Sequence, residues 1–154
     1  MDKNYHNLTA GDPGTNPAIY GKERGQCMSD VKILMVEDEE LVRLSFIQLL
    51  KRRGYNNILE ASRGIEAIRI IEQHKPDIVL LDIQLADETD GLEVLKQSRI
   101  ISPETKVVMM SAYQKEYEHQ AQELGAYGFL KKPILKIELL TNVIEEIRKN
   151  KGLA

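Results

Sequence analysis

From residue 31 onward, short apolar runs recur along the chain, and each is separated from the next by a stretch with helical periodicity. The runs predict buried strands at Lys32–Val36, Ile58–Glu60, Asp77–Leu81, Lys106–Met110 and Gly128–Leu130. The stretches between and after them predict helices over about 39–53, 63–74, 91–101, 114–124 and 136–149. Gly54 and Gly125 stop the first and fourth helices, and His74-Lys75-Pro76 stops the second. Ile78-Val79-Leu80-Leu81 is apolar at every position, as a strand covered on both faces must be. Five strands alternating with five helices predict an α/β fold, a doubly wound parallel sheet with helices on both sides.

Two helices carry more than this pattern. In the last, Ile137, Leu140, Ile144 and Ile147 form one apolar stripe. The first is apolar beyond what one stripe needs. Leu44, Phe46, Ile47 and Leu50 fall on one broad face, and Leu41, Val42 and Leu49 fall roughly opposite. Such a helix is either buried nearly all round or has a core face and a docking face.

Residues 1–27 break the pattern. Gly11, Pro13, Gly14, Pro17, Gly21 and Gly25 punctuate them without any apolar period, which predicts a flexible tail. The tail is a natural extension, an expression leftover or an upstream start read as coding. Met28-Ser29-Asp30 before a clean strand reads as a natural beginning, which divides the chain into a tail (1–27) and a domain (28–154).

Composition narrows the function. The chain has 154 residues, 42% hydrophobic and 29% charged, enough for one globular domain with a sizeable core. Its 21 Lys and Arg against 24 Asp and Glu give a net charge of −3, which argues against a nucleic-acid or acidic-membrane surface. One cysteine, Cys27, excludes an intrachain disulfide framework and a Cys-rich zinc site. With no apolar leader and no run approaching a membrane span, the expected location is the cytoplasm.

In an open parallel sheet, ligands bind beyond the carboxyl ends of the strands. There the chain places Glu37-Asp38, Asp82, Ser111 and Lys132-Pro133, after the first, third, fourth and fifth strands. Converging carboxylates repel each other, and a proton or a cation must relieve this. Oxygen donors without His or Cys favour a hard ion, Mg²⁺ or Mn²⁺, which accepts phosphate oxygens. A carboxylate beside such a metal can attack phosphorus and form an acyl phosphate, with a lysine and a hydroxyl spreading the charge. Any one acidic residue has the alternative role of capping a helix, as Asp38 or Glu39 would for the first. Capping does not explain useful groups at four strand ends together.

Val36-Glu37-Asp38, Leu80-Leu81-Asp82, Asp90-Gly91, Met110-Ser111-Ala112 and Phe129-Leu130-Lys131-Lys132-Pro133 resemble the receiver domain of two-component response regulators, across essentially all of residues 30 to 150. The resemblance implies a flavodoxin-like (βα)5 fold with its five strands in the order 2-1-3-4-5. It implies that Asp82 takes a phosphoryl group from a histidine kinase or histidine phosphotransfer protein. Glu37, Asp38, Asp82 and the backbone carbonyl of Gln84 would hold Mg²⁺. Ser111 would bond the phosphoryl group and Lys132 would pair with it, across a cis Lys132–Pro133 bond. Ser111 and Phe129 would form the switch, and Leu41, Val42 and Leu49 would contribute to docking on the donor. The expected partners are that donor and a downstream target protein, with no nucleic acid or membrane. The domain is then not an enzyme beyond assisting its own Mg²⁺-dependent phosphorylation and dephosphorylation.

Two departures stand out. Glu37 replaces the commoner Asp, and Leu85-Ala86-Asp87-Glu88-Thr89 lacks the usual proline and is one residue longer. By the same resemblance, the path of a hydrolytic water would be flanked by Gln84 and Tyr113; neither is a carboxylate and Tyr113 is bulky, which predicts a phosphoryl lifetime of many minutes or longer. A phosphatase using Asp82 would need a general acid where Gln84 stands. A partner-binding pseudo-receiver would not need the full reactive set, and an FMN carrier would need a phosphate loop after the first strand. The last helix ends near Asn150 and only Lys151-Gly152-Leu153-Ala154 follow, so the expectation is a single-domain regulator or a receiver cut from a longer protein.

Overall fold

The computed structural model describes residues 6–8, 31–86, 88–112, 115–134 and 136–152. Six strands form one sheet: β1 (His6–Leu8), β2 (Ile33–Val36), β3 (Ile58–Ala61), β4 (Ile78–Asp82), β5 (Lys106–Ala112) and β6 (Gly128–Lys132). The helices are α1 (Glu40–Arg52), α2 (Gly64–His74), α3 (Gly91–Ile101), α4 (Lys115–Glu123) and α5 (Ile137–Asn150). The strand order is β1-β6-β5-β4-β2-β3, with every pairing parallel. Without β1, this is the expected 2-1-3-4-5 order of a flavodoxin-like sheet. Gly54 and Gly125 follow α1 and α4 with φ of 95° and 91°, a left-handed conformation that glycine adopts without Cβ strain.

The alternation within each strand builds two cores. Ile33 and Met35 face one way and pack with Ile47 and Leu50 of α1 and Leu140, Ile144 and Ile147 of α5. Leu34 and Val36 face the other way, toward Ala67 and Ile71 of α2, Val94 and Leu95 of α3 and Ala121 of α4. Every residue of β4 is buried, as its apolar run predicts. The chain runs from β2 to β3 on one side and then crosses to β4 on the other, so the sheet reverses direction between β2 and β4. That reversal opens a crevice at the carboxyl ends of these two strands.

Two expectations need correction. The N-terminal tail is not wholly without structure, because His6–Leu8 pair with Gly128–Leu130 as a sixth strand. Pairing at a sheet edge runs through backbone groups and needs no apolar period, so the pattern did not reveal it. The rest of residues 1–27, including Cys27, lies outside the described residues, as does Met28. Leu44 was expected on the core face of α1, but it is 40% exposed. Only Ile47 and Leu50 of α1 are buried, with Phe46 packed beside them, so the helix is not buried all round.

Candidate functional site

Glu37 follows β2 directly and continues its ladder, its N–H donating to Ala61 O at 3.1 Å. That continuation carries the Glu37 side chain inward to 1% exposure, while Asp38 is half-buried. Asp82 is the last residue of β4 and is 6% exposed. Carboxylate oxygens of Glu37, Asp38 and Asp82 lie within 4.8 Å of one another. Lys132, at the end of β6, donates to Glu37 Oε2 at 3.0 Å and to Asp82 Oδ2 at 3.2 Å. The Lys132–Pro133 bond is cis.

The electrostatics follow from burial. Desolvation first, then the Asp82 carboxylate beside it, push Glu37 from its ordinary 4.5 up to about 7, and Lys132 only partly offsets them. Burial alone would lower the Lys132 ammonium, but the Glu37 and Asp82 carboxylates outweigh it and hold the lysine above its ordinary value. Two buried carboxylates facing one ammonium leave excess negative charge, which a proton on Glu37 or a cation would neutralise.

The loop after β4 shapes the rest of the crevice. Gln84 is exposed, and its N–H donates to Asp82 Oδ1 at 3.2 Å. Asp90 caps α3, accepting from Glu93 N at 2.9 Å, and Gly91 N donates back to Ile83 O at 2.8 Å. A Cβ at Gly91 would collide with the Asp82 carbonyl oxygen, so this position needs glycine. By contrast, Glu39 precedes α1 without any side-chain cap, so the capping alternative for that residue is not realised.

On β5, Met110 pairs with Asp82 and Ser111 follows it, so Ser111 stands beside the Asp82 strand end. Its Oγ is buried with no hydrogen-bond partner among the described residues. A hydroxyl left unpaired in this way costs about 1–3 kcal/mol and is a donor awaiting an acceptor. Phe129 is 1% exposed, packed on the α2, α3 and α4 side of the sheet. Tyr113 and Asp87 lie outside the described residues.

Away from the crevice, Leu41 is 80% exposed. Val42 and Leu49 are half-buried, and with Leu41, Phe46 and Ile134 they line an open apolar depression of about 330 Å³. The sequence reading missed Arg43. It sits one turn into α1 and reaches both Glu37 O and Glu60 Oε1 at 2.9 Å. An arginine soon after an acidic pair was a visible signal, but only the folded chain, which brings Arg43 of α1 to Glu60 of β3, shows what it holds.

Comparison with known proteins gives the family and supports the fold. The family model described as response regulator receiver domain matches residues 33–145. Sporulation initiation phosphotransferase F of Bacillus subtilis is 33% identical over 107 residues, which cover 69% of this chain and 85% of that protein. The transcriptional regulatory protein PdtaR of Mycobacterium tuberculosis is 32% identical over 130 residues, but the chain spans only 62% of its length. Among solved structures, a CheY-like receiver domain protein from Methanospirillum hungatei superposes with a TM-score of 0.72 at 26% identity, covering 79% of this chain and 97% of that one. The receiver domain of a LuxO-type repressor from Vibrio parahaemolyticus superposes at 0.70, with 29% identity over 79% of this chain and 92% of that one. Among the described residues, no helix is long and apolar enough to cross a membrane.

Proposed function

The chain belongs to the receiver-domain family of two-component response regulators, and from this premise we propose that Asp82 accepts a phosphoryl group from a phosphohistidine on a kinase or phosphotransfer protein. The observation that carries the reading is Asp82 itself. It ends a fully buried central strand, with its two carboxylate oxygens engaged by Lys132 Nζ and Gln84 N–H.

In the reaction, an Asp82 oxygen attacks phosphorus in line with the departing imidazole. The new O–P bond forms as the N–P bond breaks, and the electron pair of that bond stays on the imidazole nitrogen, which takes a proton from solvent. Lys132 balances charge on the phosphoryl oxygens, and the unpaired Ser111 hydroxyl donates to one of them. The clustered carboxylate oxygens fit a hard divalent ion, which Glu37, Asp38, Asp82 and the Gln84 carbonyl would hold. Mg²⁺ supplies further charge neutralisation when bound, and Mn²⁺ suits the same donors.

The charge added on Asp82 becomes a signal through Ser111, whose hydroxyl turns toward the phosphoryl group and draws the end of β5 with it. Phe129, on the neighbouring β6, is the buried aromatic that responds. The apolar depression of Leu41, Val42 and Leu49 docks the donor, and a downstream protein in the cytoplasm reads the phosphorylated surface. The domain assists only its own phosphorylation and dephosphorylation.

The test is incubation with acetyl phosphate and Mg²⁺ followed by intact-mass measurement. One added phosphoryl group, labile at alkaline pH and mapped to Asp82, is expected. No mass shift over hours would overturn the reading.

A further inference from the structure

Glu37 and Asp38 must leave the end of β2 and turn their carboxylates toward Asp82. Two backbone groups of Glu37 govern that turn, and outside elements hold both. Its N–H donates to Ala61 O on β3 at 3.1 Å. Its carbonyl accepts from an Arg43 terminal nitrogen at 2.9 Å. The same guanidinium donates through Nε to Glu60 Oε1, also at 2.9 Å, and Glu60 is the neighbour of Ala61 on β3. A ring therefore closes from Glu37 through β3 and Glu60 to Arg43 and back to Glu37. The Arg43 side chain is only 12% exposed within this ring, whereas Glu60 is 49% exposed.

We propose that Arg43 is a positioning residue for the acidic pair: by holding the Glu37 carbonyl from the side of α1, it keeps the Glu37-Asp38 turn in the shape that binds a divalent cation. The proposal rests on reading the crevice as a cation-dependent phosphoryl-acceptor site. Arg43 is not a ligand and does not touch the phosphoryl group. It acts on the backbone from which two ligands project. A planar guanidinium suits this task because its fixed fork of donors can face a carbonyl and a carboxylate at once, which a single ammonium cannot do with the same geometry. Groups that orient ligands in this way typically contribute 10–100-fold to metal affinity.

A bland alternative is that Arg43 merely staples α1 to β3. The two accounts differ in what they do to the cation. Arg43→Ala, Arg43→Lys and Glu60→Gln are compared with the unaltered protein in three measurements. These are Mg²⁺ titration by calorimetry, urea unfolding in EDTA, and acetyl phosphate labelling as a function of Mg²⁺. Positioning predicts that Arg43→Ala raises the Mg²⁺ dissociation constant about 10-fold. Its labelling at saturating Mg²⁺ should recover to near the unaltered rate. Arg43→Lys should fall between, because one ammonium nitrogen does not reproduce the two separate nitrogens, Nε and a terminal one, that hold Glu60 and the Glu37 carbonyl, and Glu60→Gln should show a smaller loss of the same kind. Unchanged Mg²⁺ affinity in Arg43→Ala, whatever its urea midpoint, overturns the proposal. If Arg43→Ala does not fold, the two milder variants decide, and unchanged Mg²⁺ affinity in both is equally fatal. Normal labelling of the unaltered protein with no Mg²⁺ effect in the variants leaves the phosphoryl-acceptor reading intact and rejects only the role of Arg43. Absence of both Mg²⁺ binding and labelling in the unaltered protein rejects both.

Discussion

Lys132 Nζ sits 3.0 Å from Glu37 Oε2, bridging 95 residues of sequence and joining the carboxyl ends of β6 and β2. The contact spans the crevice from one side of β4 to the other, and Asp82 lies between, at 3.2 Å from the same ammonium. The lysine is thus shared between a carboxylate proposed to react and one proposed to hold a cation. Burial of Glu37 beside Asp82, which the shared lysine only partly offsets, sets the pH behaviour of the site.

Glu37 supplies the first prediction. Its pKa in the folded protein is raised from 4.5 to about 7, mainly by burial and then by Asp82. The folded state therefore binds the proton more tightly than the unfolded chain. The resulting stability is fully present below about pH 4.5 and is lost as pH rises through about 7. Urea midpoints measured in EDTA at pH 5 and pH 7.5 should fall more for the unaltered protein than for Glu37→Gln. Equal changes in the two proteins would remove Glu37 from the account. Mg²⁺ competes with the same proton, so its affinity should weaken as pH drops below 7, by up to about tenfold per unit.

Asp82→Asn should take up no phosphoryl group from acetyl phosphate with Mg²⁺. Asparagine keeps the shape of the side chain but has no anionic oxygen to attack phosphorus. Removing a carboxylate from a crowded acidic site should leave stability equal or higher. Intact mass and urea unfolding on the same sample check both halves. Labelling at the unaltered level would place the acceptor elsewhere.

Docking through α1 is best tested at Leu41, because it is 80% exposed and can be changed without opening the core. Leu41→Glu puts a charge beside the apolar depression that Val42, Phe46 and Leu49 also line. Transfer from a phosphorylated histidine donor should slow about tenfold or more, equivalent to losing roughly 1.4 kcal/mol of docking energy. Labelling by acetyl phosphate, which needs no docking, serves as the internal comparison. A proportional fall in both reactions would show that the residue supports the fold rather than the interface.

The fourth prediction lies far from the crevice. Tyr55 is fully buried and donates its hydroxyl to Glu145 Oε2 at 2.6 Å, while Arg148 binds the same carboxylate at 2.8 Å. Burial first, and then this carboxylate, raise the Tyr55 pKa far above its ordinary 10. The tyrosine's contribution is thus complete below about pH 10 and declines as pH climbs above that. Tyr55→Phe should cost about 1–3 kcal/mol at neutral pH, because a buried carboxylate loses a donor. It should also lose less stability than the unaltered protein between pH 9 and pH 11. Parallel alkaline denaturation curves would contradict this.

Much of the molecule was legible in one dimension. Period-2 alternation and fully apolar runs depend on which faces of a strand are covered, so they placed the five core strands to within a residue or two. The rule that ligands gather at strand carboxyl ends then brings Glu37, Asp38, Asp82, Ser111 and Lys132 to one edge from the sequence alone. Other features depend on relations between distant segments, which no local pattern encodes. Leu44 reads as core by helical spacing but faces solvent, because the packing of α1 on β2 and α5 uses only Ile47, Leu50 and part of Phe46. His6–Leu8 joins the sheet through backbone groups that every residue carries. The grip of Arg43 on Glu37 and Glu60, and the partnership of Tyr55 with Glu145 across 90 residues, exist only once helices and strands are stacked. Periodicity records how much of each residue is covered, whereas the identity of the covering partner is a property of the folded chain alone.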